Sequence, residues 1–498
     1  MPDILKRAAA FVSAVAVICV ISPIRTFASD THSVLNDKEW VEFVEEKIEQ
    51  DSTPGLSLSV VNGSEIGYKN WGYDKIADKT PVTENTAFRI GSLSKSFTAL
   101  TIFLLQEEDK LSIEDSVSDY LSWWNVTWQG ESYDTKIWQL LNHCSGIPNS
   151  TMMKSPIGTD NSLKEQNARI AENLELTYEP STSFEYCNLG YDILAYITET
   201  VSGITFEEYV EQEILSPLGM NNSGYDIQKA QSYRWFFGQL TEYAAPPFTA
   251  CNGSGELIST AEDMTLWMNA QLGNGNIPEK LKNAILASHE MPENHKIKQE
   301  GQTMNYFNGW MCYENFALHS GSNPDFSAYI IIDYQRNIGI FTVSNAMMNT
   351  ADYAANSLYS VMKGENIDRE RLNILDLIKS IDVLSICMTA AGIIASIITI
   401  FLLITQKKRL AKKKITYKKE IKKFCVRLSI LIPVFCIACF LPTCILYLAG
   451  YGIASYQMLA IWLPYSFIIG CIAIDIFWLL LIISSVERFI RAKKLLDL

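Results

Sequence analysis

The stretch "AFRIGSLSKSFTALTIFLLQEEDKLS" (residues 87–112) sets a hydroxyl and an amine, Ser92 and Lys95, three positions apart, just after Gly91 and at the head of an apolar-periodic run. At i and i+3 on a helix the two side chains share one face. A serine hydroxyl is inert at neutral pH unless a base lies within hydrogen-bond reach. Lysine serves as that base only if its pKa falls well below the ~10.4 of the free side chain, which burial achieves. A helix opening at Ser92 and carrying Phe97, Leu100, Thr101, Leu104 and Leu105 on its apolar face would draw Lys95 into the interior. It would also hold Ser92 where helix-end amides favour developing negative charge. The spacing therefore predicts a serine nucleophile and its lysine base on the first turn of a buried helix.

Ser-x-x-Lys recurs at Ser360–Lys363 as a coincidence of composition, without the preceding glycine. Two further pieces single out Ser92. Tyr186-Cys-Asn188 follows a turn marked by Pro180 and Ser181 and precedes a helical pattern, unlike the Tyr-x-Asn triplets at Tyr68, Tyr306 and Tyr313. A tyrosine there can relay a proton to a leaving group, and the Asn188 amide can hold a substrate carbonyl. His319-Ser-Gly321 stands at the end of a strand. A strand edge beside the nucleophile supplies a backbone N–H to an oxyanion, and Gly321 permits close approach.

Around these motifs the chain reads as α/β. "GLSLSVVNGSEIGYKNWGY" alternates on both sides of Asn62-Gly63 and predicts a hairpin. Helical patterns cover residues 92–108, 165–178 and 189–213. "STAEDMTLWMNAQLG" predicts a helix capped by Ser259 or Thr260 and stopped at Gly273. "FSAYIIIDY" and "NIGIFTVSN" predict two late strands, so N- and C-terminal strands should meet in one antiparallel sheet.

The ends of the chain are of another kind. Residues 1–28 carry Lys6 and Arg7 before an apolar run and end on "TFAS", which predicts a signal peptide cleaved near Ala28. Residues 29–365 form the expected outer domain and 366–382 a connector. Residues 383–498 form a membrane domain with spans at about 383–404, 426–448 and 457–483. The first span is uncharged and about 33 Å long as a helix, enough to cross a bilayer. Prolines 433, 442 and 464 lie in the other two, and Asp475 is the one acid inside a span.

Residues 405–498 hold fifteen basic and four acidic side chains, so the rest of the chain is far more acidic than the net −14 of the whole. The Lys-rich segment 407–427 and the basic tail predict a multi-pass protein of the cytoplasmic membrane, with that loop and the C-terminus cytoplasmic and the 29–365 domain outside. An acidic outer domain excludes nucleic-acid binding. Of eleven cysteines only Cys144, Cys187, Cys251 and Cys312 belong to the outer domain; they match no zinc spacing and leave room for one unassigned disulfide.

Together "FRIGSLSKSFTA", "LLNHCSGIP", "FEYCNLGYDILAYI", "ELISTAEDM" and "HSGSNPDFSAYIIID" resemble, in order, the blocks of the serine penicillin-binding-protein and class C β-lactamase superfamily, the S12-type peptidases and esterases. The resemblance covers about residues 34–360. It implies a β-lactamase/transpeptidase-like fold, an antiparallel sheet flanked by helices plus an all-helical region, and acyl-enzyme chemistry without metal or cofactor. Ser92 would be the nucleophile, Lys95 its base and Tyr186 the proton relay. The backbone amides of Ser92 and Ser322 would form the oxyanion hole, and Asn188, His319, Gly321 and Asn323 would contact substrate. His319 stands where β-lactamases carry the lysine that helps bind a substrate carboxylate.

An outer domain of this type followed by three spans is similar in layout to membrane peptidases that mature nonribosomal-peptide prodrugs of the colibactin and zwittermicin type. That likeness implies a peptide-like small-molecule substrate, removal of an N-acyl-D-asparagine-like cap, and an exporter as partner; Asn188 departs from the small residue usual there. The alternatives are another S12-type hydrolase (D-aminopeptidase, esterase, DD-peptidase or β-lactamase) and an acylated receptor or immunity protein without turnover.

Overall fold

The computed structural model describes residues 31–154, 157–158, 163–297, 304–371, 376–411, 416–448 and 454–496; the expected signal peptide lies outside them. A hairpin opens the domain: β1 (Gly55–Asn62) turns at Gly63, whose φ of +61° a glycine adopts without strain, into β2 (Glu65–Lys75). β3 (Thr80–Pro81) extends that edge, and β4 (Ala87–Arg89) leads to Ser92. β5 (Tyr233–Phe236) and β6 (Gln239–Glu242) form a separate hairpin, and β7 (Ile258–Thr260) pairs with β4. Then come β8 (Asn305–Phe307), β9 (Trp310–Cys312), β10 (Phe316–Asn323), β11 (Phe326–Asp333) and β12 (Ile338–Ser344). The main sheet has eight antiparallel strands in the order β8-β9-β10-β11-β12-β1-β2-β3. The first and last long strands pair as expected, Leu58 opposite Thr342.

Alternation along β1 gives the sheet two faces. Leu56, Leu58 and Val60 point to the face covered by α1 (Lys38–Asp51) through Trp40, Phe43 and Val44, and by the C-terminal helix of the domain. The other face carries α2 (Ser94–Glu107), α3 (Asn188–Ser202) and α4 (Ala261–Gln271). Every residue from Ser94 to Leu105 is buried, so α2 is a central helix and not a surface one. Phe97 stacks on Trp267 of α4 with ring centroids 3.7 Å apart. Thr260 caps α4 by accepting from the Asp263 N–H.

The helical pattern over 189–213 is two elements, because Gly203 at φ +78° ends α3 and Thr205 opens a new helix. The pattern over 165–178 resolves as a helix over Leu163–Ala171. Cys144, Cys187, Cys251 and Cys312 are joined by no disulfide in the structure, so the one left open in the sequence is not formed.

α5 (Thr350–Met362) completes the β-sheet domain. Three apolar helices follow, α6 (Asp376–Ala411), α7 (Tyr417–Leu448) and α9 (Tyr465–Leu496), each long and apolar enough to cross a membrane. Between the last two lies a short helix, α8 (Tyr456–Trp462). The helices are bounded differently from the expected connector and third span. α6 starts inside the connector at Asp376, and the chain breaks at Leu463, which Pro464 forces into an extended conformation at ψ 157°. Asp475, the one acid expected inside a span, lies on α9.

Candidate active site

Antiparallel pairing of β4 with β7 fixes the turn that carries Ser92, and Ile90 N–H extends it by donating to Leu257 O at 3.0 Å. The chain then enters a single 3-10 turn, Gly91–Leu93, and continues as α2. Ser92 is half-buried at this joint and Lys95 is fully buried one turn on. The segment before β7 is pinned along α2 by three side chains. Ser94 Oγ accepts from Leu257 N–H, Thr98 Oγ1 donates to Gly253 O, and Lys95 Nζ donates to Ser254 O at 2.7 Å.

Lys95 Nζ has three neighbours: Ser92 Oγ at 3.1 Å, Asn188 Oδ1 at 2.9 Å and Ser254 O at 2.7 Å. The last two are acceptors only. A neutral amine gives each of them one proton and turns its lone pair to the Ser92 hydroxyl, which is the geometry of a base. Burial, the largest influence, lowers the Lys95 pKa far from that of free lysine, and the Asp192 carboxylate opposes it. The Lys95 ammonium form would also face Tyr186, whose ring centroid is 4.8 Å away.

Burial raises the Tyr186 phenol above the ordinary value, and the nearby Ser92 side chain opposes that shift. A phenolate base is disfavoured there, so Tyr186 is suited to passing a proton on and Lys95 to taking it.

The third element is β10. Its pairing with β9 stops at Leu318, which leaves the edge from His319 to Asn323 open toward Gly91. Asn323 and Phe326 close a two-residue turn, so the alternation of the ladder brings the Ser322 N–H to that open edge. A Cβ on Gly91, at φ +56°, would sit 2.5 Å from Ser322 N. Ser92 and the proposed second oxyanion donor are thus adjacent.

His319 is buried. Its Nδ1 donates to Ser320 O at 2.7 Å, so Nε2 accepts from Tyr306 Oη at 3.1 Å. Burial lowers its pKa to about 3, with Lys95 adding to the shift, and the ring is neutral. Asn188 lies against Lys95, as described. Asn323 is buried, and its amide donates to Gly255 O and Glu256 Oε1. Both asparagines thus spend polar groups on the protein's own framework.

Several residues were not singled out from the sequence. His143, within "LLNHCSGIP", is buried against the rings of Tyr186, Tyr306 and Tyr191, and its Nδ1 accepts from Cys187 N–H, fixing the loop that carries Tyr186. Asp192, one turn after Asn188 on α3, is buried; burial raises its pKa, and Ser254 and Lys95 oppose the shift. Among the described residues no cluster of His, Cys, Asp and Glu could hold a metal ion.

A family model described as Beta-lactamase matches residues 40–360. The chain belongs to this family. It is a family of serine hydrolases, and the arrangement of Ser92 just before α2 and Lys95 on its first turn is in keeping with that. The chain is similar to Protein flp of Staphylococcus aureus (strain COL), 27% identical over 311 residues, which span 61% of this chain and 61% of that protein. It is also similar to Penicillin-binding protein 4* of Bacillus subtilis (strain 168), 25% identical over 57% of this chain and 66% of that one. Among solved structures, the octameric penicillin-binding protein homologue from Pyrococcus abyssi superposes with TM-score 0.58 at 26% identity, covering 70% of this chain and 80% of that one. A class C beta-lactamase superposes with TM-score 0.56 at 20% identity, over 68% of this chain and 98% of the other, a likeness of fold alone.

Proposed function

We propose that the protein is a membrane-anchored serine peptidase that works through an acyl-enzyme on the outer face of the cytoplasmic membrane. The observation that carries this reading is the Lys95 amine, held by Asn188 Oδ1 and Ser254 O with its third direction on Ser92 Oγ. Lys95 takes the Ser92 proton as Oγ attacks an acyl carbon. The backbone amides of Ser92 and Ser322 stabilise the oxyanion, and Tyr186 returns a proton to the leaving amine. Water then releases the acyl group by the reverse use of the same residues.

The substrate is an amide following an N-acylated D-residue, the cap of a peptide-like nonribosomal prodrug delivered by an exporter. Support comes from His319, neutral and buried where a carboxylate-binding family member carries a cation, so that no free carboxylate is demanded. The Lys-rich segment before and within α7 supports the orientation. Paired kcat/KM values on N-acyl-D-asparaginyl, N-acyl-D-alanyl and the matching L-amides test the reading. Preference for an L-form, or efficient penicillin hydrolysis without amide cleavage, overturns it.

A further inference from the structure

We propose that the membrane helices are a positioning element of the catalytic site, coupled to Ser92 through the β5–β6 hairpin. This rests on Ser92 as the nucleophile and goes beyond the substrate reading.

The contact between the two parts of the chain is polar, buried and specific. Arg234 on β5 lies between the rings of Tyr243 and Tyr465, with its guanidinium carbon 3.9 and 3.4 Å from their centroids. Its Nη1 donates to Ala460 O at 2.8 Å and reaches Ile461 O at 3.4 Å, carbonyls in the last turn of α8. Tyr243 Oη donates to Ile461 O as well. On the other side of the hairpin, Asp382 of α6 is fully buried. It accepts from Phe237 N–H at 3.0 Å and Gly238 N–H at 2.6 Å, and also from Ser466 Oγ of α9. An anchor needs only apolar spans and a linker. A buried carboxylate and a stacked guanidinium cost desolvation, and they fix a single orientation of one part on the other.

From this clamp a chain of buried polar groups runs to the catalytic serine. Ser232 Oγ bonds Tyr243 O and lies 3.1 Å from Asp325 Oδ2, which also accepts from Ala245 N–H. Asp325 Oδ1 is 3.6 Å from Arg89 Nη1, and Arg89 Nε is 3.4 Å from Glu256 Oε2. Arg89 stands three residues before Ser92. Glu256 accepts from Asn323, the neighbour of Ser322. The network thus ends beside both oxyanion donors. A second route is apolar: Met458, Leu459 and Ile461 of α8 pack on Phe248 and Cys251, at the head of the segment whose Ser254 carbonyl holds Lys95.

The test uses the full-length protein in detergent and a fluorophosphonate probe, which requires only a nucleophilic serine. The rate of Ser92 modification is measured against probe concentration. Arg234→Ala should lower the saturating rate about tenfold or more with little change in the half-saturating concentration. Tyr465→Ala should do likewise, whereas Tyr465→Phe keeps the stacked ring and should restore the rate. Far-UV circular dichroism and size-exclusion profiles establish that each variant is folded. A folded Arg234→Ala protein modified at the wild-type rate overturns the proposal. If Arg234→Ala does not fold, Asp382→Asn decides by the same criterion. Wild-type protein that takes no label at Ser92 refutes the nucleophile assignment, and this inference with it.

Discussion

Gly321 approaches Ile90 so closely that a Cβ built on it would lie 2.0 Å from the Ile90 carbonyl oxygen. The same contact puts Gly91 against Ser322 N, so two glycines let β10 and the turn that carries Ser92 lie side by side. Gly321→Ala must push β10 outward and carry the Ser322 N–H away from the developing oxyanion. Loss of one such donor costs roughly 10²–10³ in kcat. Steady-state kinetics should show that loss with a much smaller change in KM; an alanine variant as fast as wild type removes Ser322 from the hole.

Ser92 and Lys95 should behave as one unit. Each alanine substitution alone is expected to remove roughly three orders of magnitude or more of the hydrolytic rate, and the double variant little further. Intact-mass detection of the acyl-enzyme checks the assignment independently. A trapped acyl group on Ser360, or on any serine other than Ser92, would contradict it.

The pH dependence follows from the burial of Lys95. Acylation needs the neutral amine, so its rate should rise with pH through a titration well below that of free lysine. The Asp192 carboxylate works against this by raising the Lys95 pKa. Asp192→Asn removes that charge and should move the midpoint of the fluorophosphonate rate profile to lower pH. A midpoint that stays in place or moves upward shows that Asp192 does not act on Lys95.

The difference between what the sequence disclosed and what it hid is one of range. Ser92, Gly91 and Lys95 are neighbours on one turn, and the hairpin and late strands carry period-two patterns, so all were legible. Asp192 and Ser254 meet Lys95 only because α3 and the segment before β7 fold against α2, across 97 and 159 residues of chain. No local pattern encodes that. Asn188 and Asn323 show the converse. Their motifs mark the site, but an amide's partner is set by tertiary packing, and here those partners include Lys95 and Glu256. In the third apolar run the composition was legible, while the break came from the single backbone constraint of Pro464.

Charge asymmetry predicts the sidedness of the three apolar helices. On a cysteine-free background, a cysteine at Ser64, exposed in the β1–β2 turn, should react with an impermeant maleimide on intact cells. One at Lys418, exposed at the start of α7, should react only after permeabilisation. The reverse pattern inverts the topology and places Ser92 in the cytoplasm.

His319 carries the last prediction, on substrate charge. Its imidazole is neutral because Nδ1 is committed to Ser320 O, Nε2 meets the Tyr306 hydroxyl, and burial opposes protonation. Lowering the pH to 5 should therefore leave this ring uncharged and make no carboxylate site. Lysine at this position is different, because its longer stem can carry an ammonium past Tyr306 toward the open edge of β10. His319→Lys should then raise the acylation rate of a carboxylate-bearing penicillin relative to that of an uncharged amide or ester cleaved by the wild type. The informative quantity is the ratio of the two kcat/KM values, because burying a cation beside Lys95 will also lower both by disfavouring the charged form of each amine. A ratio unchanged or shifted toward the uncharged substrate would mean that residue 319 does not face the substrate, and that selection against carboxylates lies elsewhere.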